Sequence, residues 1–407
     1  MKQKIKTGID VLRDEAFARL EGASLAVVTN HAAVDSNYRH LIDLLSESAF
    51  VKSGSIKIKA LFGPEHGLFG GHQDMQAVGN ASHAKLKIPI YSLYGSSFES
   101  LMPTKEQLAG IDTLVFDLVD IGTRYYTFAQ TLYFCMQRAA ELKIRVVVLD
   151  RPNPIGGSQI EGSPLTTACR SFCGIHPIAN RHGLTLGELA KLFQAGFSLA
   201  GASCEPVAVD LEIVNVLGWK REQYLDQTTA PWVFPSPNMP TVDTAVVYPG
   251  ACLFEATNIS EGRGTTKPFE LIGAPFIDSG KWIDAIAQTG SIQGCILRPA
   301  IFIPKFHKFS GLNCYGVEIH VTDRSTFKPY RLGLAMIHAA KKCFASDFSW
   351  RTDAYEFVKE VPAIDLLFGS SAFREIVDSG KASAQWLEII NNFEATYIKA
   401  TNQLKTY

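Results

Sequence analysis

Thr113-Leu114-Val115-Phe116-Asp117-Leu118 decides how this 407-residue chain is read. A nearly unbroken apolar run ending beside a carboxylate is the signature of a strand buried on both faces of a parallel sheet. Three more runs frame it. Residues 145–150 (RVVVLD) follow, and residues 24–29 (SLAVVT) and 56–62 (IKIKALF) precede it. Helical patterns fall between them. Residues 38–46 carry Leu41, Ile42, Leu44 and Leu45, and residues 128–142 link the third run to the fourth. Thr104-Lys105-Glu106-Gln107 has the form of a capping box opening a short helix. This β-α-β rhythm predicts an α/β fold with a Rossmann-like, doubly wound, mainly parallel sheet.

The texture changes after Asp150. Residues 151–164 hold three prolines and three glycines and read as an ordered loop. Thr185-Leu186-Gly187-Glu188 is a second capping box, opening a helix to about Phe197. Strands are expected near 207–216, 294–302 and 315–322, and helices at 330–344 and 385–402. The reading is two domains, 1–205 Rossmann-like and 206–407 a smaller α/β unit, with a cleft between them.

Composition narrows the function. Hydrophobic residues make up 46% and charged residues 19%, which excludes a disordered chain. Lys+Arg 39 against Asp+Glu 40 leaves a net charge of −1 and no positive field for nucleic acid. No apolar run reaches the ~18 residues of a membrane span. The N-terminus shows no secretory h-region, and the eight cysteines sit mostly singly in apolar segments, so reduced core thiols in a cytoplasmic protein are expected. A nucleotide cofactor is not called for. Asn30-His31-Ala32-Ala33 follows the first strand, and neither G-x-G-x-x-G nor a phosphate-cradling G-x-x-x-x-G-K-[ST] occurs. The expectation is a protein without cofactors whose strand ends carry another chemistry.

Four polar constellations stand at or after those strand ends. The first is Phe62-Gly63-Pro64-Glu65-His66-Gly67-Leu68-Phe69-Gly70-Gly71-His72-Gln73-Asp74. Its glycines and proline set an unusual backbone, and a carboxyl flanked by Phe62 and Phe69 suits a general acid. A structural turn is the plainer alternative, and His66, His72 and Asp74 can also be read as metal ligands. The second, 116–126, gathers Asp117, Asp120, Arg124, Tyr125 and Tyr126. Arginine can hold a carboxylate bidentately, and tyrosine can stack on a sugar; alternatively Asp117 caps a helix and pairs with Arg124. The third, Asp150-Arg151-Pro152-Asn153-Pro154, holds an amide rigidly between prolines, and turn chemistry explains it nearly as well. The fourth, Asn180-Arg181-His182-Gly183, precedes the capped helix. In the second half, Ser236-Pro237-Asn238-Met239-Pro240 and the loop from Glu255 through Glu261 and Arg263 to Phe269 read as a ligand surface. Trp232 and Phe234 nearby could form an apolar wall, and a core role for both is the better reading.

Together, Phe62-Gly-Pro-Glu-His-Gly67, the Asp120-Ile-Gly-Thr-Arg-Tyr-Tyr126 segment, Asp150-Arg-Pro-Asn-Pro154, Ser236-Pro-Asn-Met-Pro240 and Glu261-Gly-Arg-Gly-Thr265 resemble the exo-β-N-acetylmuramidase (NamZ-type) glycoside hydrolases. The resemblance runs in order from about Gly8 to the C-terminus. It implies a Rossmann-like domain, a smaller C-terminal domain and an intervening active-site cleft. The implied activity is release of N-acetylmuramic acid from the non-reducing end of peptidoglycan fragments, so the expected partners are muramoyl saccharides. Glu65 matches the position of the family's catalytic glutamate. Many relatives carry a secretion or lipoprotein signal, which this sequence does not display.

The resulting expectations are specific. Glu65 is the general acid, and its second catalytic group comes from Asp117, Asp120, Glu255 or Glu261, with Asp117 and Glu261 preferred; a substrate-assisted route is the alternative. His66, Arg124, Tyr126, Arg151, Asn153, His182, Asn238 and Arg263 bind substrate. One of Arg124, Arg151 and Arg263 clamps the lactyl carboxylate of muramic acid. The rival readings are a metal-dependent amidase or deacetylase using His66, His72 and Asp74, and a non-catalytic sugar-binding protein.

Overall fold

The computed structural model describes residues 2–73 and 75–407. Asp74, a member of the alternative metal set, lies outside the described residues. The strands of the first half are β1 (Ser24–Thr29), β2 (Lys57–Gly63), β3 (Ala81–Ser82), β4 (Pro89–Ser92), β5 (Thr113–Asp117), β6 (Arg145–Leu149), β7 (Phe197–Leu199), β8 (Ala202–Cys204) and β9 (Leu211–Val214). Seven of them form one sheet in the order β3-β4-β2-β1-β5-β6-β9. All neighbours pair parallel except β3, which runs antiparallel at one edge. Counting only the parallel strands, the order is third, second, first, fourth, fifth, sixth, the doubly wound arrangement the apolar runs led us to expect.

Strand periodicity explains the layering. Val28, Phe62, Phe116 and Val148 stand side by side in register and face one core. Val27, Leu61, Val115 and Val147 face the opposite one. Helices Gly8–Asp14 and Leu41–Glu47 cover the second face with Ile9, Leu12, Leu41 and Leu45. Helices Phe128–Leu142 and Leu186–Ala195 cover the first. The Thr185–Glu188 capping box forms as expected. At Thr104 the reciprocal bonds with Gln107 also form, yet the segment closes into turns. Only a few residues separate it from Gly110 and the next strand, too few to repay helix nucleation.

The second half is built on β10 (Leu271–Ala274), β11 (Cys295–Phe302) and β12 (Cys314–Val321), an antiparallel sheet in the order β10-β12-β11. Helices Val242–Ala251, Ser279–Ala287 and Pro329–Cys343 accompany it. Because β9 pairs with β6, the large sheet continues past residue 205, where the sequence suggested a division. The two halves share one continuous apolar core, running from Phe62 and Phe116 through Phe254 and Tyr330 to Trp386. Helix Ala384–Thr401 returns to the first half, where the Tyr397 hydroxyl donates to the His182 carbonyl at 3.1 Å. Among the described residues no helix is long and apolar enough to cross a membrane.

Candidate functional site

Glu65 owes its position to the bend that ends β2. A Cβ on Gly63 would lie 2.6 Å from the Leu68 nitrogen, so only glycine lets the chain fold back there. His66 then takes φ +69° and Gly67 +76°, an unusual conformation for the histidine. The result turns Glu65 inward, 6% exposed. Its Oε2 accepts from the Thr127 hydroxyl at 2.7 Å, and its Oε1 from the Met75 backbone N–H at 3.3 Å. Thr127 is the residue before helix Phe128–Leu142, but its hydroxyl makes no cap bond and serves Glu65 instead. His66 is fixed through Nδ1, 2.9 Å from the His72 carbonyl.

Glu65 and His66 face a cavity whose walls come from both halves. Tyr126, Thr127 and Phe128 line it from the first half. Asn238, Tyr248, Glu255, Arg263, Tyr355 and Glu356 close it from the other side. Asn238 donates to the Gln73 side chain at 2.8 Å, tying its motif to the Glu65 loop. Arg263 Nη2 lies 2.5 Å from Glu255 Oε1, and its Nε lies 3.2 Å from Glu261 Oε1. Phe269 packs against the guanidinium, 5.0 Å from ring centre to Cζ. Burial opposes the charge on Glu261, but Lys308 at 2.8 Å and Arg263 outweigh it and hold the carboxyl below its usual range. Tyr94 donates to Glu356 Oε2 at 2.9 Å, and Tyr355 donates to Glu255 Oε2 at 2.6 Å. Burial, reinforced by Glu65 and Glu356, pushes the Tyr94 phenol up; burial and Glu255 do the same to Tyr355. Both phenols therefore stay protonated donors at neutral pH.

Of the residues expected from sequence, the structure brings Glu65, His66, Tyr126, Asn238 and Arg263 to this cavity, with Glu255. Others do not line it. Asp117, fully buried, is held bidentately by Arg151, at 2.6 Å and 2.9 Å, and Arg151 also donates to the Val34 carbonyl. Asp117 thus pairs with Arg151 and not with Arg124. Arg124 is fully buried and donates to the carbonyls of Ser163, Ile178, Leu367 and Phe368, stitching the two halves together. Asn153 bonds the Leu184 carbonyl and the Ile155 N–H, which is turn chemistry. His182 is fully buried with Nε2 3.5 Å from Asp120, and Glu261 stands behind Arg263. Phe69, expected to keep Glu65 dry, is 73% exposed; Tyr126, Tyr248 and Phe269 supply the apolar lining. Phe234, expected in the core, is 45% exposed. Among the described residues no three His, Cys, Asp or Glu side chains converge as a metal-ligand set. Sequence reasoning missed Thr127, Tyr355 and Glu356. Thr127 directly follows the Tyr125-Tyr126 pair that was singled out, whereas nothing in 350–360 resembles a motif.

Comparison with known proteins bears on the whole chain. Residues 25–243 match the family model described as exo-β-N-acetylmuramidase NamZ, N-terminal, and residues 246–407 match its C-terminal counterpart. The peptidoglycan β-N-acetylmuramidase NamZ of Bacillus subtilis (strain 168) is 40% identical over 406 residues, covering 100% of this chain and 91% of that protein. A crystal structure of a DUF1343 family protein from Bacteroides fragilis NCTC 9343 superposes with TM-score 0.87 at 29% identity, covering 100% of both chains. A second DUF1343 protein from the same strain shares the fold, with TM-score 0.72, 24% identity and 99% of each chain covered.

Proposed function

The chain belongs to the exo-β-N-acetylmuramidase NamZ family, and from that premise we propose that it is an exo-acting glycosidase that removes N-acetylmuramic acid from the non-reducing end of peptidoglycan fragments, with Glu65 as proton donor. The observation that carries the assignment of Glu65 is its burial in a cavity walled by both halves, with one oxygen on a backbone N–H and the other on the Thr127 hydroxyl. The N–H fixes Oε1. The Thr127 hydroxyl, donating to Oε2, fixes the other oxygen, and the carboxyl so held gives its proton to the glycosidic oxygen.

Selection of muramic acid rests on its lactyl carboxylate. Of the three arginines considered, Arg263 lines the cavity, and Glu255, Glu261 and Phe269 hold its guanidinium in place. A clamp fixed in this way favours a ligand with a carboxylate over the otherwise identical N-acetylglucosaminyl unit. Tyr126, Tyr248 and Phe269 give the sugar an apolar wall, and Asn238 offers an amide.

The test uses the disaccharide in which N-acetylmuramic acid is β-1,4-linked to N-acetylglucosamine, with product identified by proton NMR. Release of N-acetylmuramic acid by the wild-type chain is expected, with a drop of about 10²–10⁴-fold in Glu65→Gln. A folded Glu65→Gln protein with full activity removes Glu65 from the reaction.

A further inference from the structure

Glu356 comes from a part of the chain without any recognisable motif, yet its buried carboxylate lines the same cavity as Glu65. Tyr355 and Val358 exchange both backbone hydrogen bonds, at 2.8 Å and 2.9 Å, so Glu356 and Phe357 are the two central residues of a tight turn. Both have positive φ, +45° and +69°. Such a turn normally carries glycine or asparagine at both places. A glutamate and a phenylalanine persist there because their surroundings hold them, a pattern that recurs at functional sites. Phe357 is wedged against the rings of Tyr94, Phe98 and Phe172, with centroids 5.5, 6.4 and 6.5 Å away. With that ring pinned outside, the preceding residue is turned into the cavity, where its Oε2 accepts from Tyr94. The charge of Glu65 also acts on the Tyr94 phenol. Glu255 holds Arg263.

We propose that Glu356 is the second carboxylate of the hydrolysis, the base that takes a proton from the attacking water. This rests on the muramidase reading above. The water oxygen bonds the anomeric carbon while its proton passes to the Glu356 carboxylate. The bond from that carbon to the glycosidic oxygen breaks, its electron pair stays with the oxygen, and the Glu65 proton neutralises it. The sugar leaves with inverted, α configuration. Solvent then removes the proton from Glu356 and returns one to Glu65.

The experiment uses the full chain and a 2,4-dinitrophenyl β-muramoyl glycoside, whose leaving group needs no proton donor. Glu356→Gln and Glu356→Ala are compared with Glu65→Gln, each checked for native circular dichroism and thermal melting. Both Glu356 variants are expected to lose roughly 100-fold or more, while Glu65→Gln stays within about fivefold of wild type. Azide, a nucleophile that needs no base, is expected to restore Glu356→Ala at least about tenfold. Its product is the α-muramoyl azide, in which a new N–C bond replaces the bond to the departing phenolate. The first sugar released by wild type is the α-anomer by NMR. Wild-type turnover in folded Glu356→Gln overturns the proposal, as does a β-anomer as first product or an inactive Glu356→Ala that azide does not revive. If the alanine variant does not fold, the isosteric Gln variant and the anomer decide. A large loss in Glu65→Gln on this substrate counts against Glu65 as proton donor, and the Glu356 results are read separately from it.

Discussion

Two strand ends of one sheet carry the same kind of side chain and meet opposite fates. In a doubly wound sheet the ligand crevice lies outside the carboxyl ends of the strands where the winding reverses, here between β1 and β5. The protein fills that place itself. Asp117 at the end of β5 is locked bidentately to Arg151, which also bonds the Val34 carbonyl. Beyond β1, Asn30 reaches the Pro235 carbonyl at 3.2 Å. One strand over, the glycine bend after β2 presents Glu65 to a hydroxyl, a backbone N–H and a cavity. A buried carboxylate facing its own guanidinium is structural; one held by neutral donors beside open space can exchange a proton. The fold supplied both positions, and the partner decides which is used.

The largest effect that sharpens this contrast is on stability. Asp117→Ala leaves the Arg151 guanidinium buried and unpaired, and a loss of about 3–5 kcal/mol is expected in denaturant unfolding. The kcat of the fraction that remains folded should change little. A drop in kcat without a drop in stability would move Asp117 into the reaction and dissolve the distinction.

A smaller effect belongs to Asp150, the carboxylate that ends the neighbouring strand β6. Burial raises it to about 6 from an ordinary 3.8, although Tyr407, Gly187 and Thr185 donate to it. The folded chain holds this proton more tightly than the unfolded chain does. Its contribution to stability is therefore complete below about pH 4 and is lost as pH rises through about 6, on the order of 2–3 kcal/mol in all. Asp150→Asn should flatten that part of the stability profile. An unchanged slope between pH 4 and 6 would show that the proton is bound elsewhere.

The smallest effect concerns recognition. Arg263→Lys keeps the charge but loses the planar fork, so the preference for muramoyl over N-acetylglucosaminyl substrates should fall about tenfold, through KM. A preference that survives would place the lactyl contact on another group.

The sheet was legible because its strands are buried on both faces, which leaves continuous apolar runs at 24–29, 113–118 and 145–150. Strand β4, next to the two-residue edge strand β3, was not, since Pro89–Ser92 is short and only partly buried. Helix Val242–Ala251 was also missed; Pro249 lies inside it and breaks the usual signal. At the site, Glu65, His66, Asn238 and Arg263 announced themselves through glycine- and proline-marked motifs. Arg124 sat in an equally conspicuous motif, yet its guanidinium turns toward four carbonyls, and sequence does not tell a backbone partner from a ligand. Glu356 escaped for the opposite reason: its turn lacks the glycine that would have marked it, and the rings that hold it there lie far away in sequence.

The most direct measurement is leaving-group dependence in Glu65→Gln. A series of aryl β-muramoyl glycosides with phenols of rising pKa, ending in the natural disaccharide, reports how much each departure relies on a donated proton. The account predicts near wild-type rates for the most acidic phenols and a deficit growing to about 10²–10⁴-fold for the disaccharide. A uniform loss across the series, or none at all, would contradict Glu65 as the group that protonates the departing oxygen.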